Sequence, residues 1–207
     1  MDIGDLSGLA SLKTLGLQAC IALSDIGALS DLPSLTDLDL SWRDDSALSG
    51  NLSNLSSLKS LDLRHCRYLR DISGLSGLTS LVSLDLSSCE SLSDISPVSN
   101  LTSLTSLQME WCHSLVDIRP LSALVSLMEL NLGHCGLLAD IRPLSGLTLL
   151  RIVSLSGCES LSDIQPLGTL GRLEYLDLND CPLIKSLSPI SVKTSSGFVF
   201  FAPYLKS

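Results

Sequence analysis

The sequence predicts an α/β-type solenoid: stacked coils with a parallel β-sheet along the concave side and irregular or short helical segments along the convex side. Three observations lead there. The 207 residues repeat every 23 positions from end to end, giving about eight full units and a degenerate ninth. Each unit carries a Leu-x-Leu pair or a close variant, and most close on an Asp-Ile segment that usually reaches a proline two residues later. Hydrophobic residues make up 45% of the chain and aromatic ones only 4%, so the core must consist of small aliphatic side chains.

The pairs Leu15/Leu17, Leu38/Leu40, Leu61/Leu63, Leu84/Leu86, Leu107/Met109, Leu130/Leu132, Val153/Leu155 and Leu176/Leu178 are the strands. Alternation points both members of a pair inward and the residue between them outward. Val199/Phe201 continues the same 23-residue step as a ninth pair. One coil cannot bury its own apolar side, so the coils stack into a sheet; at ~4.8 Å per strand, nine coils extend about 40 Å.

Each strand is preceded by apolar residues at three-residue steps, as at Val98, Leu101 and Leu104 before Leu107. After each strand the chain turns, and all seven cysteines (Cys20, Cys66, Cys89, Cys112, Cys135, Cys158 and Cys181) fall at that one position. A residue repeated coil after coil meets a need shared by the coils, here the bonding of backbone groups that the turn leaves unpaired. The same reasoning makes Asp25, Asp71, Asp94, Asp117, Asp140 and Asp163 turn-forming residues. Pro97, Pro120, Pro143, Pro166 and Pro189 lack a donor N–H and suit the first turn of an irregular segment on the convex side.

The second unit departs from the pattern without changing length. It reads Trp42, Arg43, Asp44, Asp45, Ser46 where its neighbours carry Cys and Asp-Ile, so Arg43 to Gly50 is expected to be the most locally strained or mobile stretch. Residues 1–207 read as a single domain, and the opening at mid-repeat suggests part of a longer array.

This pattern resembles the leucine-rich repeat family over the whole chain. The subtype, with Cys after the strand and then Leu-x-Asp-Ile-x-Pro-Leu-Ser, is similar to trypanosomatid leucine-rich repeat proteins, some connected with adenylate cyclase regulation, and more distantly to bacterial internalins. The resemblance implies a right-handed coil and an intracellular scaffold or regulator; the internalins imply an alternative, a surface or secreted adhesin. It transfers no functional residue, since consensus positions are core positions.

Recognition therefore belongs to the positions that vary. The residue between the strand leucines includes Asp39, Asp62 and Asp85 in succession. Two positions past the strand stand Ala19, Trp42, His65, Ser88, Trp111, His134, Gly157 and Asp180, a column holding both tryptophans. With Arg64 and Glu110 alongside, Trp42, His65, Trp111, His134, Asp39, Asp62 and Asp85 form the candidate partner-binding strip on the concave edge.

The formal charge of −9, from 13 basic and 22 acidic residues, disfavours nucleic acid as a partner and makes a basic protein the natural complement. Every apolar run is interrupted well short of the ~20 residues that cross a bilayer. Met1 to Leu12, with Asp2 and Asp5, does not resemble a secretory signal, and a column of free thiols suits the reducing cytoplasm. No catalytic triad, phosphate-binding glycine loop or H-E-x-x-H zinc motif occurs, so no catalytic residue, metal ligand or cofactor is assigned. The expected function is protein–protein interaction through the concave face, without enzymatic activity.

Overall fold

The computed structural model describes residues 6–21, 23, 26–43 and 52–190, with 199–201 placed as backbone. Nine three-residue strands form one parallel sheet in chain order: β1 (Thr14–Gly16), β2 (Asp37–Asp39), β3 (Ser60–Asp62), β4 (Ser83–Asp85), β5 (Ser106–Gln108), β6 (Glu129–Asn131), β7 (Ile152–Ser154), β8 (Tyr175–Asp177) and β9 (Val199–Phe201). The register from β1 to β8 follows the 23-residue step, with Leu15 opposite Leu38, Leu61 opposite Leu84 and Val153 opposite Leu176.

The last pairing differs from the sequence expectation. Leu176 lies opposite Phe200 and Asp177 opposite Phe201, so the final step is 24 residues. A constant step of 23 would have set Val199 opposite Leu176, so the backbone register of this pair is one residue later than the period. The run Val199-Phe200-Phe201 is apolar at every position, so alternation carries no signal for one register over the other.

On the far side of the coils run short 3₁₀ turns: Ser7–Leu9, Gly27–Asp31, Leu52–Asn54, Ser73–Leu75, Ser96–Asn100, Arg119–Ala123, Arg142–Gly146 and Gln165–Thr169. In the four turns that begin at residues 96, 119, 142 and 165, proline occupies the start, where its missing N–H is no loss. The aspartate column enters these turns as expected. The carboxylate oxygens of Asp71, Asp94, Asp117, Asp140 and Asp163 accept from the backbone N–H of Ser73, Ser96, Arg119, Arg142 and Gln165 at 2.8–2.9 Å. Asp25, the first member of the column, lies outside the described residues.

Between sheet and turns lies a core of stacked columns. In the middle of the array Leu101, Leu104, Leu107, Met109, Cys112, Leu115 and Ile118 are all fully buried. Their equivalents in the first coil, Leu12, Leu15, Leu17 and Cys20, are only partly buried. A coil's apolar side is completed by the coils on both of its flanks.

The thiols form a ladder across the coils. Cys89, Cys112, Cys135 and Cys158 each donate, at 3.3 Å, to the carbonyl of Leu63, Leu86, Met109 and Leu132, the residue that follows the strand one coil earlier. Cys66 and Cys181 make the same bond to Leu40 and Leu155. Burial pushes the thiols of Cys112 and Cys135 up to about 12, which keeps them protonated as donors. In the second coil this position holds Arg43, buried with only 3% exposure, whose guanidinium donates to the carbonyl of Leu23. Arginine thus replaces thiol as the donor there, aimed at a different carbonyl; the rest of the stretch expected to be strained, 44–50, lies outside the described residues.

Cys112→Ala is expected to cost ~1–3 kcal/mol through the lost donor and the cavity left by sulfur. Cys112→Asn, which restores a donor, is expected to cost less. Urea denaturation of both variants checks this, and equal losses would mean that the ladder bond contributes nothing.

Candidate protein-binding ridge

The sheet does not end at its three-residue strands. Past each strand the chain turns through a residue with positive φ: Ala19, Trp42, His65, Ser88, Trp111, His134 and Asp180 at 55–62°, and Gly157 at 67°. From Ala19 to Gly157 their N–H groups still reach the next coil. Trp42 donates to the Arg64 carbonyl, His65 to Ser87, Ser88 to Glu110, Trp111 to Gly133 and His134 to Ser156, at 2.6–2.9 Å. This left-handed column forms a corner along the edge of the sheet, and it is the column that holds both tryptophans.

The corner places the rings against one another. Trp42 stacks on His65 with ring centroids 3.9 Å apart and an interplanar angle of 23°. Trp111 stacks on His134 at 3.7 Å and 5°, and meets His113 edge-on at 5.7 Å. Both indoles remain open to solvent, Trp42 at 45% and Trp111 at 42%. The flatness of the second stack depends on Gly157. A Cβ there would collide with Nδ1 of His134, so only glycine lets the imidazole lie over the next rung.

The aspartates beside the corner serve the backbone first. Asp39, Asp62 and Asp85 accept through Oδ1 from the N–H of Ser41, Arg64 and Ser87 at 2.8–2.9 Å, and Asn131 and Asp177 do the same in later coils. This bond shapes the turn into the left-handed residue. Asp62 also pairs with Arg64 at 2.7 Å. Burial raises its pKa most, opposed by Arg64, with Asp85 and Asp39 adding repulsion. The row is therefore both a set of caps and a concentration of negative charge. Glu110 stands next to Trp111 and lies 3.5 Å from the amide of Asn131.

All nine residues singled out in the sequence thus lie in or beside one corner of the array, where the four rings Trp42, His65, Trp111 and His134 form two stacked pairs rather than one continuous strip. Sequence reasoning missed the capping role of the aspartates and the part played by Gly157. The position of Gly157 in the Trp/His column was the available signal. Among the described residues, no group of three or more His, Cys, Asp or Glu side chains converges to hold a metal ion, and no helix is long and apolar enough to cross a membrane.

Residues 56–100 match the family model for leucine-rich repeats (two copies). Over 95% of its length the chain superposes on internalin C2 of Listeria monocytogenes, with a TM-score of 0.74, 25% identity and 82% of that chain covered. The chain has the leucine-rich repeat fold. A second Listeria monocytogenes internalin, at 22% identity and TM-score 0.51, covers the whole of this chain and 78% of its own. A chain of the mouse RP105/MD-1 complex matches 95% of this chain at 23% identity and TM-score 0.64, over 39% of its own length. No curated protein matches by sequence.

On the opposite side of this leucine-rich repeat array, Arg119 and Arg142 pair with Asp117 and Asp140 at 2.6 Å. Hydrogen bonds from the Arg142 side chain and then its backbone N–H hold the Asp140 carboxyl down to about 2, from an ordinary 3.8. Because the folded value is depressed, the stabilisation is present above the ordinary value and is lost as pH falls from about 4 toward 2. In a carboxyl NMR titration, Asp140 is expected to titrate near pH 2. In Arg142→Ala its midpoint should move part of the way back, since the backbone bond survives.

Proposed function

We propose that this leucine-rich repeat array is a non-enzymatic protein-interaction scaffold or regulator that receives a protein partner on the sheet side, at the corner bearing Trp42, His65, Trp111 and His134. The observation that carries the reading is the pair of exposed indoles, each held flat by a stacked imidazole. Large rigid rings left open to solvent are the side chains that most often anchor protein interfaces. The core columns are occupied by nearly the same residue in every coil and cannot distinguish one partner from another. A partner with a basic surface suits the flanking carboxylates.

Hydrogen exchange on the complex with a captured partner tests this. Protection is expected at residues 39–43, 62–66, 85–89, 108–113 and 131–135; protection confined to the 3₁₀ turns would overturn the assignment.

We propose further that the scaffold is cytoplasmic, with a role like that of the trypanosomatid regulators its repeat subtype resembles; seven free cysteines, six of them buried, support a reducing compartment. The second reading, a surface adhesin, draws support from the likeness to internalin C2. Cell fractionation followed by thiol counting on the denatured protein separates the two. Seven thiols on cytosolic protein support the first, and recovery at the cell surface supports the second.

A further inference from the structure

Resting on the reading that the corner binds protein, we propose that it is a two-anchor dock for an extended peptide segment of the partner, with apolar residues at positions i and i+4 and a basic residue at i+2.

The spacing of the indoles carries the inference. Trp42 and Trp111 occupy the same left-handed position of coils three steps apart, with φ of 62° in both. At ~4.8 Å per coil the two anchors are separated by about 14 Å along the array. An extended chain advances ~3.3–3.4 Å per residue and turns alternate side chains to the same face, so four residues span about 13–14 Å and bring i and i+4 to one side. A segment running along the array, across the strands, therefore sets those two side chains on the two indoles. A helix rises only ~1.5 Å per residue, so its neighbouring anchors at i and i+4 lie about 6 Å apart and miss the match.

The ground between the anchors fits the rest of the segment. Each indole is extended by the imidazole of the following coil, His65 behind Trp42 and His134 behind Trp111. Between the two pads the column falls to Ser88, a small, half-buried side chain that leaves room for residue i+2. Asp62 and Asp85 pair across β3 and β4 three residues before the corner, Glu90 follows Ser88 by two residues, and the Ser88 N–H donates to the Glu110 carbonyl. Arg64 and Arg67 are already paired with Asp62 at 2.7 Å and with Glu90 at 3.4 Å. Among the described ion pairs, none engages Asp85 or Glu110. A lysine or arginine at i+2 meets these carboxylates, while acidic segments are repelled.

The test uses fluorescent synthetic peptides on the full chain, read by anisotropy. The probe is Ser-Phe-Ser-Arg-Ser-Phe-Ser. Its spacing control, Ser-Phe-Ser-Arg-Ser-Ser-Phe, moves the second anchor to the other face, and its charge control replaces Arg by Glu. The probe is expected to bind, with each control about tenfold weaker or worse. Trp42→Ala and Trp111→Ala are each expected to weaken the probe about tenfold or more, while Trp42→Phe and Trp111→Phe retain most of the affinity. Near-native melting of the variants separates lost binding from lost folding. Equal binding of probe and spacing control, or no binding at millimolar peptide, overturns the extended-segment inference. If a folded partner still protects residues 62–66 and 108–113 from exchange, the protein-binding reading survives that failure. If exchange protection lies elsewhere while the peptide data hold, the broader reading fails instead.

Discussion

Leu84→Ala is expected to destabilise the array by ~2–5 kcal/mol, among the largest effects of any single core truncation. Leu84 is the central residue of β4, has no solvent exposure, and lies opposite Leu61 on one side and Leu107 on the other. Truncation removes three carbons from the middle of a column. Both neighbouring strands are held in register by hydrogen bonds, so the coils have little freedom to close the gap. The array is also one-dimensional: each coil contacts only its neighbours, so weakening coil four loosens the coupling between the halves.

The two tryptophans report on those halves separately, Trp42 before the defect and Trp111 after it. Urea transitions of Leu84→Ala followed in single-tryptophan variants are expected to separate, where those of the parent coincide. A loss below about 0.5 kcal/mol would mean that Leu84 does not occupy a close-packed column. Leu15→Ala, in the partly buried first coil, is expected to cost less than Leu84→Ala.

Trp111→Ala is expected to weaken partner binding by ~2 kcal/mol or more while leaving folding nearly intact. The ring is 42% exposed, yet it is oriented by His134 at 3.7 Å and His113 at 5.7 Å, so little freedom remains to be lost on binding. Single changes at Asp85 or Glu110 should act chiefly on association rate and its salt dependence. Arg119→Ala is the control, since Arg119 lies on the 3₁₀ side with its side chain 83% exposed. Calorimetry decides: unchanged affinity for Trp111→Ala with lost affinity for Arg119→Ala moves the interface to the 3₁₀ side.

The period of 23 made β1 to β8 legible, because every inward position repeats a leucine or a close substitute and any other register would expose them. The cysteine and turn-aspartate columns were legible for a similar reason. A side chain that recurs unchanged answers a backbone requirement that recurs unchanged, and Cys112 and Asp117 both bond backbone atoms. The corner was harder. Its positive φ is announced by glycine only at Gly157, while the other coils place Trp, His, Ser, Ala and Asp there. Asp39, Asp62 and Asp85 read as surface charge because the sequence shows which way a strand residue points but not which N–H its carboxylate reaches. Ring stacking depends on rotamers set by neighbours 23 residues away, and no local pattern encodes it.

The left-handed corner has a consequence for how such an array adapts. A non-glycine residue held near φ +60° carries roughly 1–2 kcal/mol of conformational strain, and seven coils carry it at the same place. Glycine at Ser88, which caps neither stacked pair, would relieve that strain without disturbing either indole. Glycine at Trp111 would relieve it too and would erase an anchor. Thermal robustness and partner choice are therefore set by the same eight positions in opposite directions. Selection for a hotter environment and selection for a new partner would compete for this one column, while the leucine columns stand outside the contest.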